Sequence, residues 1–266
     1  MAHAARRHPV PDDTLTYEPS DRRVRGTVGG TTVIDSRRPV LVWEPDSAVP
    51  LYAFPRDDIR TDLLTPSSDS PATRHHGAGT WYDLTVDGER ITAIAWYYSV
   101  PELAGLLAFE WFGRTGPGIE HWYEEDEEIF VHPRDPYKRV DAIPSSRHVE
   151  VRINGVLVAD THRPVLLFET RLPVRYYIPA EDVDFTSLTE TELHTRCPYK
   201  GIARYWSFVG DPPVGNVVWS YPAPIAAVAP VKDLLAFYNE AVDITVDGEA
   251  QERPVTLFSS RVNSGQ

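Results

Sequence analysis

The sequence holds one cysteine and one methionine in 266 residues. A single cysteine excludes an internal disulfide and the Cys-rich zinc modules. Cations are scarce as well: 26 Lys and Arg stand against 39 Asp and Glu, a formal net charge of −13. That balance argues against a general nucleic-acid binder, which needs a basic footprint. It argues equally against docking on anionic membranes. No apolar run approaches the ~18 residues of a membrane-spanning helix. Residues 1–13, MAHAARRHPVPDD, carry no apolar core of the secretory kind, and no Asn-x-Ser/Thr site occurs. The expected address is cytoplasmic. P-loop, dinucleotide glycine fingerprint, GxSxG elbow and HExxH are all missing.

What the chain does have points to strands and turns. Pro (24) outnumbers Gly (16), and aromatic residues make up 11%, with 7 Trp. Hydrophobic residues at 42% and charged residues at 24% suit a globular fold.

An internal repeat organises the sequence. Residues 33–44, VIDSRRPVLVWE, return as 158–169, VADTHRPVLLFE. Asp35, Arg38, Pro39 and Glu44 thus recur as Asp160, Arg163, Pro164 and Glu169. Tyr52, Pro55 and Asp58 recur as Tyr176, Pro179 and Asp182, and Gly77 as Gly201. Trp96 and Tyr98 return as Trp219 and Tyr221, and Leu106–Phe109 as Leu234–Phe237. The order is kept throughout, so the chain reads as a tandem duplication. The boundaries that follow are an N-terminal arm over 1–21, a first repeat over 22–112, and an acidic packed linker over 113–146. A second repeat spans 147–248 and a tail 249–266.

Within each repeat the apolar period is mostly two. In the second, strands are predicted near 148–153, 156–160, 164–169, 174–178, 203–209 and 216–221. Asn154-Gly155 is a hairpin turn signal, and Gly29-Gly30 plays its part in the first repeat. Val228, Val231, Leu234, Leu235 and Tyr238 fall at helical spacing. Leu103, Leu106 and Leu107 give a shorter counterpart. The fold class predicted is mainly β (α+β): two repeated antiparallel domains, each with one C-terminal helix, in a pseudo-two-fold arrangement. The protein is then a monomer with pseudo-dimeric repeats or a homodimer.

The motif richest in chemistry is Cys197-Pro198-Tyr199-Lys200-Gly201, followed by Tyr205-Trp206. A thiol is the best side-chain nucleophile at neutral pH, and a nearby ammonium favours the thiolate. A lone cysteine is also commonly a small buried apolar residue. The aligned segment of the first repeat, His75-His76-Gly77, has neither Cys nor Lys. The copies therefore differ where chemistry is concentrated. Glu169 and Asp182 are candidate general bases if burial raises their pKa. Arg163 is the obvious partner for a buried carboxylate. Tyr177, Trp219 and Tyr221 can wall a ligand cavity. His75, His76, His194 and Cys197 are acceptable zinc ligands by type. Adjacent histidines on a strand point to opposite faces, however, and no cofactor is predicted.

The repeated D-x-x-R-P-x-x-x-x-E, then Y-x-P-x-x-D, CPYKG-x-x-x-Y-W and W-x-Y resemble the domain of unknown function family 427. The connecting EDEE-x-x-x-HPRDPY-x-RVD is similar to that of its tandem bacterial members. The resemblance implies a tent-like fold of the Mss4-like kind and no established activity. The family's label mentions nucleotidyltransferases.

The function expected is small-molecule binding in the second repeat, with catalysis on a carbonyl or acyl group if it is an enzyme. Cys197, Lys200 and Asp182 are the candidate catalytic residues. Glu169, Tyr177, Tyr199, Tyr205, Trp206, Trp219, Tyr221 and Arg163 are the candidate binding residues. The alternative is a non-catalytic ligand-binding or interaction module, with nucleotidyl transfer a weaker one, since it usually needs carboxylates that hold Mg²⁺. No nucleic-acid or membrane partner is expected.

Overall fold

Side chains that alternate between two faces decide this architecture. The computed structural model describes residues 13–45, 47–69, 71, 75–112, 116–256 and 258–259. The chain divides into a first compact unit ending at Asp135 and a second beginning at Pro136.

The first unit contains β1 (Thr16–Pro19), β2 (Val24–Val28), β3 (Thr31–Ser36), β4 (Val40–Trp43), β5 (Leu51–Pro55) and β6 (Leu64–Pro66). It continues with β7 (Ala78–Val86), β8 (Glu89–Tyr98), β9 (Leu106–Phe109), β10 (His121–Glu124) and β11 (Glu127–Ile129). The second contains β12 (Val140–Pro144), β13 (Val149–Ile153), β14 (Val156–Thr161), β15 (Val165–Glu169), β16 (Arg175–Ile178) and β17 (Leu188–Cys197). Then come β18 (Gly201–Phe208), β19 (Val214–Ser220), β20 (Leu235–Phe237), β21 (Asp243–Val246) and β22 (Glu249–Ala250).

The sheets repeat strand for strand. In the first unit the order is β1-β4-β5-β9-β8-β7-β6 in a seven-stranded sheet and β11-β10-β2-β3 in a four-stranded one. In the second it is β12-β15-β16-β20-β19-β18-β17 and β14-β13-β21-β22. All named pairings are antiparallel. The duplication read from the sequence is thus a duplication of structure, and the protein is mainly β in two halves. The strands predicted in the second repeat lie within a residue or two of β13, β14, β15, β16, β18 and β19. The Asn154-Gly155 and Gly29-Gly30 turns have positive φ at both positions, the type I′ geometry that right-twisted hairpins favour.

The expected linker is shared out. β10 pairs with β2, and β12 with β15, so residues of 113–146 complete a sheet in each unit.

The expected helix is a correction. Residues 226–231 form a 3-10 segment containing Pro230, and Leu235–Phe237 is a central strand. Proline removes a backbone donor, and Asp233 turns the chain at φ 59. The apolar residues at helical spacing are divided between two sheet faces. Leu235 and Phe237 enter the core between the sheets, and Ala236, Val228 and Val231 enter a second cluster. In the first unit Pro101–Leu103 is likewise a short 3-10 segment, followed by strand β9. Among the described residues no helix is long and apolar enough to cross a membrane.

In the second unit, Val149, Val151, Ile244 and Val246 of the small sheet pack on Trp206, Phe208, Val218 and Phe237 of the large one. The opposite face of the large sheet carries Val165, Leu167, Tyr177, Tyr205, Trp219 and Tyr221. Val140 of one edge strand and Leu193 of the other both pack against that cluster. Phe237 is 1% exposed in the intersheet core. Phe237→Ala is expected to cost about 3–5 kcal/mol, read as a lowered denaturation midpoint with an unchanged slope.

Candidate functional site

That face of the second unit's large sheet gathers most of the candidate residues. On β15, Val165, Leu167 and Glu169 share one side, and Glu169 is 4% exposed at the strand's end. A carboxylate there needs cations, because burial penalises its charge. Two lysines meet it. Lys200 Nζ donates to Glu169 Oε2 at 2.5 Å, and Lys138 Nζ lies 2.9 Å from Glu169 Oε1. Lys138 also sits over the Tyr199 ring, 5.2 Å from its centroid.

Lys200 is delivered by the hairpin between β17 and β18, closed by the Cys197–Gly201 pairing. Gly201 has φ +108, and its backbone bridges to Pro224. Ile225 N donates to the Lys200 carbonyl at 3.1 Å, so the hairpin is docked on the following segment. A Cβ on Gly201 would meet the Ala223 carbonyl oxygen at 3.0 Å. Glycine is required there by both conformation and space.

Burial alone would lower the Lys200 pKa, but Cys197, Glu169 and Tyr177 together raise it above the usual lysine value. Lys200 is therefore a fixed ammonium, suited to balancing negative charge and not to acting as a free amine. Burial would raise Glu169, but Lys200 and Lys138 hold it below the usual carboxylate range. That removes the reading of Glu169 as a base with a raised pKa. Tyr177, fully enclosed, is pushed up to about 12 by burial, and Tyr221 is raised well above its ordinary value for the same reason. Both stay neutral phenols. Trp219 Nε1 donates to Tyr177 Oη at 3.1 Å, and Tyr205 Oη shares a 2.8 Å hydrogen bond with Thr195 Oγ1. Cys197 is partly exposed.

Cys197, Lys200, Glu169, Tyr177, Tyr199, Tyr205, Trp219 and Tyr221 thus belong to one region. Three candidates do not. Trp206 alternates to the intersheet core, where it packs edge-on to Phe185. Arg163 and Asp182 form their own bidentate pair, at 3.0 Å for each contact, with Thr161 donating to Asp182 at 2.7 Å. Arg163 and Thr161 hold Asp182 below the usual carboxylate range. The first unit repeats this clamp with Arg38, Asp58 and Ser36. It is scaffold in both copies, and Asp182 is no raised-pKa base. Lys138 was missed because it lies in the segment assigned to the linker; its only signal was the aromatic, basic YKR run beside a strand.

The corresponding face of the first unit is built differently. Glu44 is met by His75, whose Nδ1 lies 2.8 Å from Glu44 Oε2 and whose Nε2 lies 3.0 Å from Glu110 Oε1. Tyr98 Oη donates to Glu44 Oε1 at 3.1 Å, and the imidazole stacks on Trp96 with centroids 3.9 Å apart. The strand pairings make Glu110 the counterpart of Tyr238 in the other copy, and Ala53, not Tyr52, the counterpart of Tyr177. Tyr52 faces the other way and donates to Glu124 Oε1 at 2.9 Å. The two segments that differ in sequence, CPYKG and HHG, thus do one thing in common: each brings a basic side chain to the equivalent buried carboxylate, Glu169 in one copy and Glu44 in the other. His76 is exposed, and His194 is exposed with its Nδ1 on the Glu192 carbonyl at 3.0 Å. Among the described residues no group of three or more His, Cys, Asp or Glu could hold a metal ion.

With a carboxylate at each ring nitrogen, His75 must donate from both and is an imidazolium. Burial would lower its pKa, but Glu110 and Glu44 raise it above the usual value. Its stabilising contribution is fully present below about pH 6.5 and is lost as pH rises through the higher folded value. His75→Gln is expected to cost about 3–5 kcal/mol at pH 6 and to flatten the decline above pH 6.5. Denaturant titrations at several pH values check both.

Among curated proteins none matches the chain. The family described as a domain of unknown function, DUF427, matches it twice, over residues 16–115 and again over 141–248. Those segments cover most of the chain and fall one in each unit; the protein belongs to the DUF427 family as a tandem-repeat member.

Proposed function

We propose that the second repeat binds a small molecule at the Cys197–Lys200 hairpin and acts on its carbonyl or acyl group. The observation that carries this reading is the Lys200 ammonium, held by Glu169 at 2.5 Å on the hairpin that the Cys197–Gly201 pairing closes. In the step proposed, the Cys197 sulfur bonds to the carbonyl carbon while its proton leaves to water. The C=O π pair moves onto oxygen, where the Lys200 charge balances it. Collapse of the adduct expels the leaving group, and water then hydrolyses the thioester and restores the thiol. Tyr177, Tyr205, Trp219 and Tyr221 supply the wall of the site.

The same reading takes each half as a tent-like domain whose large sheet curls over the site, with the boundaries given by the repeat. It needs no nucleic-acid or membrane partner, in keeping with the net charge of −13. A non-catalytic binding module is the second reading, favoured by the contact of both lysines with Glu169. Nucleotidyl transfer has no such support, since no carboxylate cluster suited to a metal is found among the described residues.

p-Nitrophenyl acetate tests the proposal. Wild type is expected to release p-nitrophenolate with an initial burst. Cys197→Ser should lose at least 100-fold in rate at an unchanged melting temperature. Equal turnover in the variant would overturn the thiol's role. Ligand-induced stabilisation without product would favour the binding module.

A further inference from the structure

Charge does not balance around Glu169. Elsewhere in the second unit a buried ion pair closes one to one: Arg175 holds Glu240 through contacts of 2.6 and 2.7 Å. At the site, two ammonium groups share one carboxylate, Lys200 at 2.5 Å and Lys138 at 2.9 Å. Among the described residues neither lysine pairs with a second carboxylate. The side chains are enclosed, 12% exposed for Lys200, 27% for Lys138 and 4% for Glu169. The neighbouring Tyr177 and Tyr221 are neutral phenols and compensate nothing. One positive charge is therefore left over in a region where water screens it weakly.

The first unit is arranged the other way round. There one side chain, His75, contacts two carboxylates, Glu44 and Glu110. The strands on which the clusters are built correspond one to one, so the contrast comes from side-chain exchange and not from a difference in fold.

We infer that the ligand of the second repeat is an anion, a carbonyl or acyl compound whose carboxylate or other acidic group lies against Lys138 while its reacting carbon faces Cys197. This rests on the proposed reading of Cys197 as an accessible thiol and adds the class of compound to it. Lys138 is then the residue that selects for charge, and Lys200 the one nearest the chemistry. A neutral analogue loses the Lys138 interaction and leaves the surplus charge uncompensated.

The lone cysteine makes this measurable, because alkylation of the protein's thiol is alkylation of Cys197. The probes are iodoacetate, an anion, and iodoacetamide, its neutral relative. Their rate ratio at one pH cancels the thiolate fraction and reports the local potential. Uncharged 2-mercaptoethanol is the reference thiol. At low ionic strength the ratio at Cys197 is expected to exceed the reference by about five-fold and to fall toward it in 1 M salt. The protein's overall charge of −13 would push the ratio the other way. Lys138→Gln should lower the ratio, and Lys138→Arg should keep it high. A wild-type ratio at or below the reference overturns the inference and leaves the reactive thiol standing. A thiol that reacts with neither reagent until the protein is unfolded overturns the underlying reading and this inference with it.

Discussion

A carboxylate enclosed by protein at the end of each unit's fourth strand dominates the chemistry of both repeats. Glu44 and Glu169 are 7% and 4% exposed, and neither can hold its charge there without a cation in contact. That requirement explains why the β-hairpin next to the site is docked and not free. It explains the buried His75 in one copy and the buried Lys200 in the other. It also explains why Lys138, from the segment joining the repeats, turns back onto β15. The aromatic residues around each cluster follow from the same need, since they shut out the water that would otherwise solvate the acid.

The copies solve this one electrostatic problem in two ways, and the difference has chemical content. In the first unit the cation is a delocalised imidazolium held between Glu44 and Glu110 and stacked on Trp96. Its hydrogen-bonding capacity is used up. In the second the cation is an ammonium with a thiol beside it and a second ammonium on the same carboxylate. The first ties one imidazole to two carboxylates, and the second sets two ammonium groups on one carboxylate, one of them from the hairpin that carries Cys197.

Much of the fold was legible in the sequence because strands with one buried face write a period of two, and Asn154-Gly155 marks its own turn. β17 was not, since LTETELHTRC is an exposed edge strand whose apolar signal is weak. The helix misread over 228–238 had a definite cause. A strand with both faces buried, Leu235-Ala236-Phe237, joined to a Pro-containing turn, reproduces helical spacing without a helix. Of the site, the hairpin motif and Glu169 were visible, and Lys138 was hidden by its place between repeats. The face of each aromatic could not be fixed until pairing set the register: Tyr176 and Tyr177 are neighbours in sequence, yet one belongs to the intersheet core and the other to the site.

Alternation of faces also shapes how such a protein can evolve. Each large sheet keeps two inventories of side chains on one backbone. The residues between the sheets must fit one another, so their substitution is tightly constrained by volume. Those on the opposite face answer mainly to the charge and shape of what they enclose. A duplicated gene could therefore exchange His75 for Tyr199, Trp81 for Tyr205 and Glu110 for Tyr238, all without repacking the intersheet layer. The sheet acts as a partition between heredity of form and freedom of chemistry, and a fold arranged in this way can acquire a new specificity while its architecture is left intact.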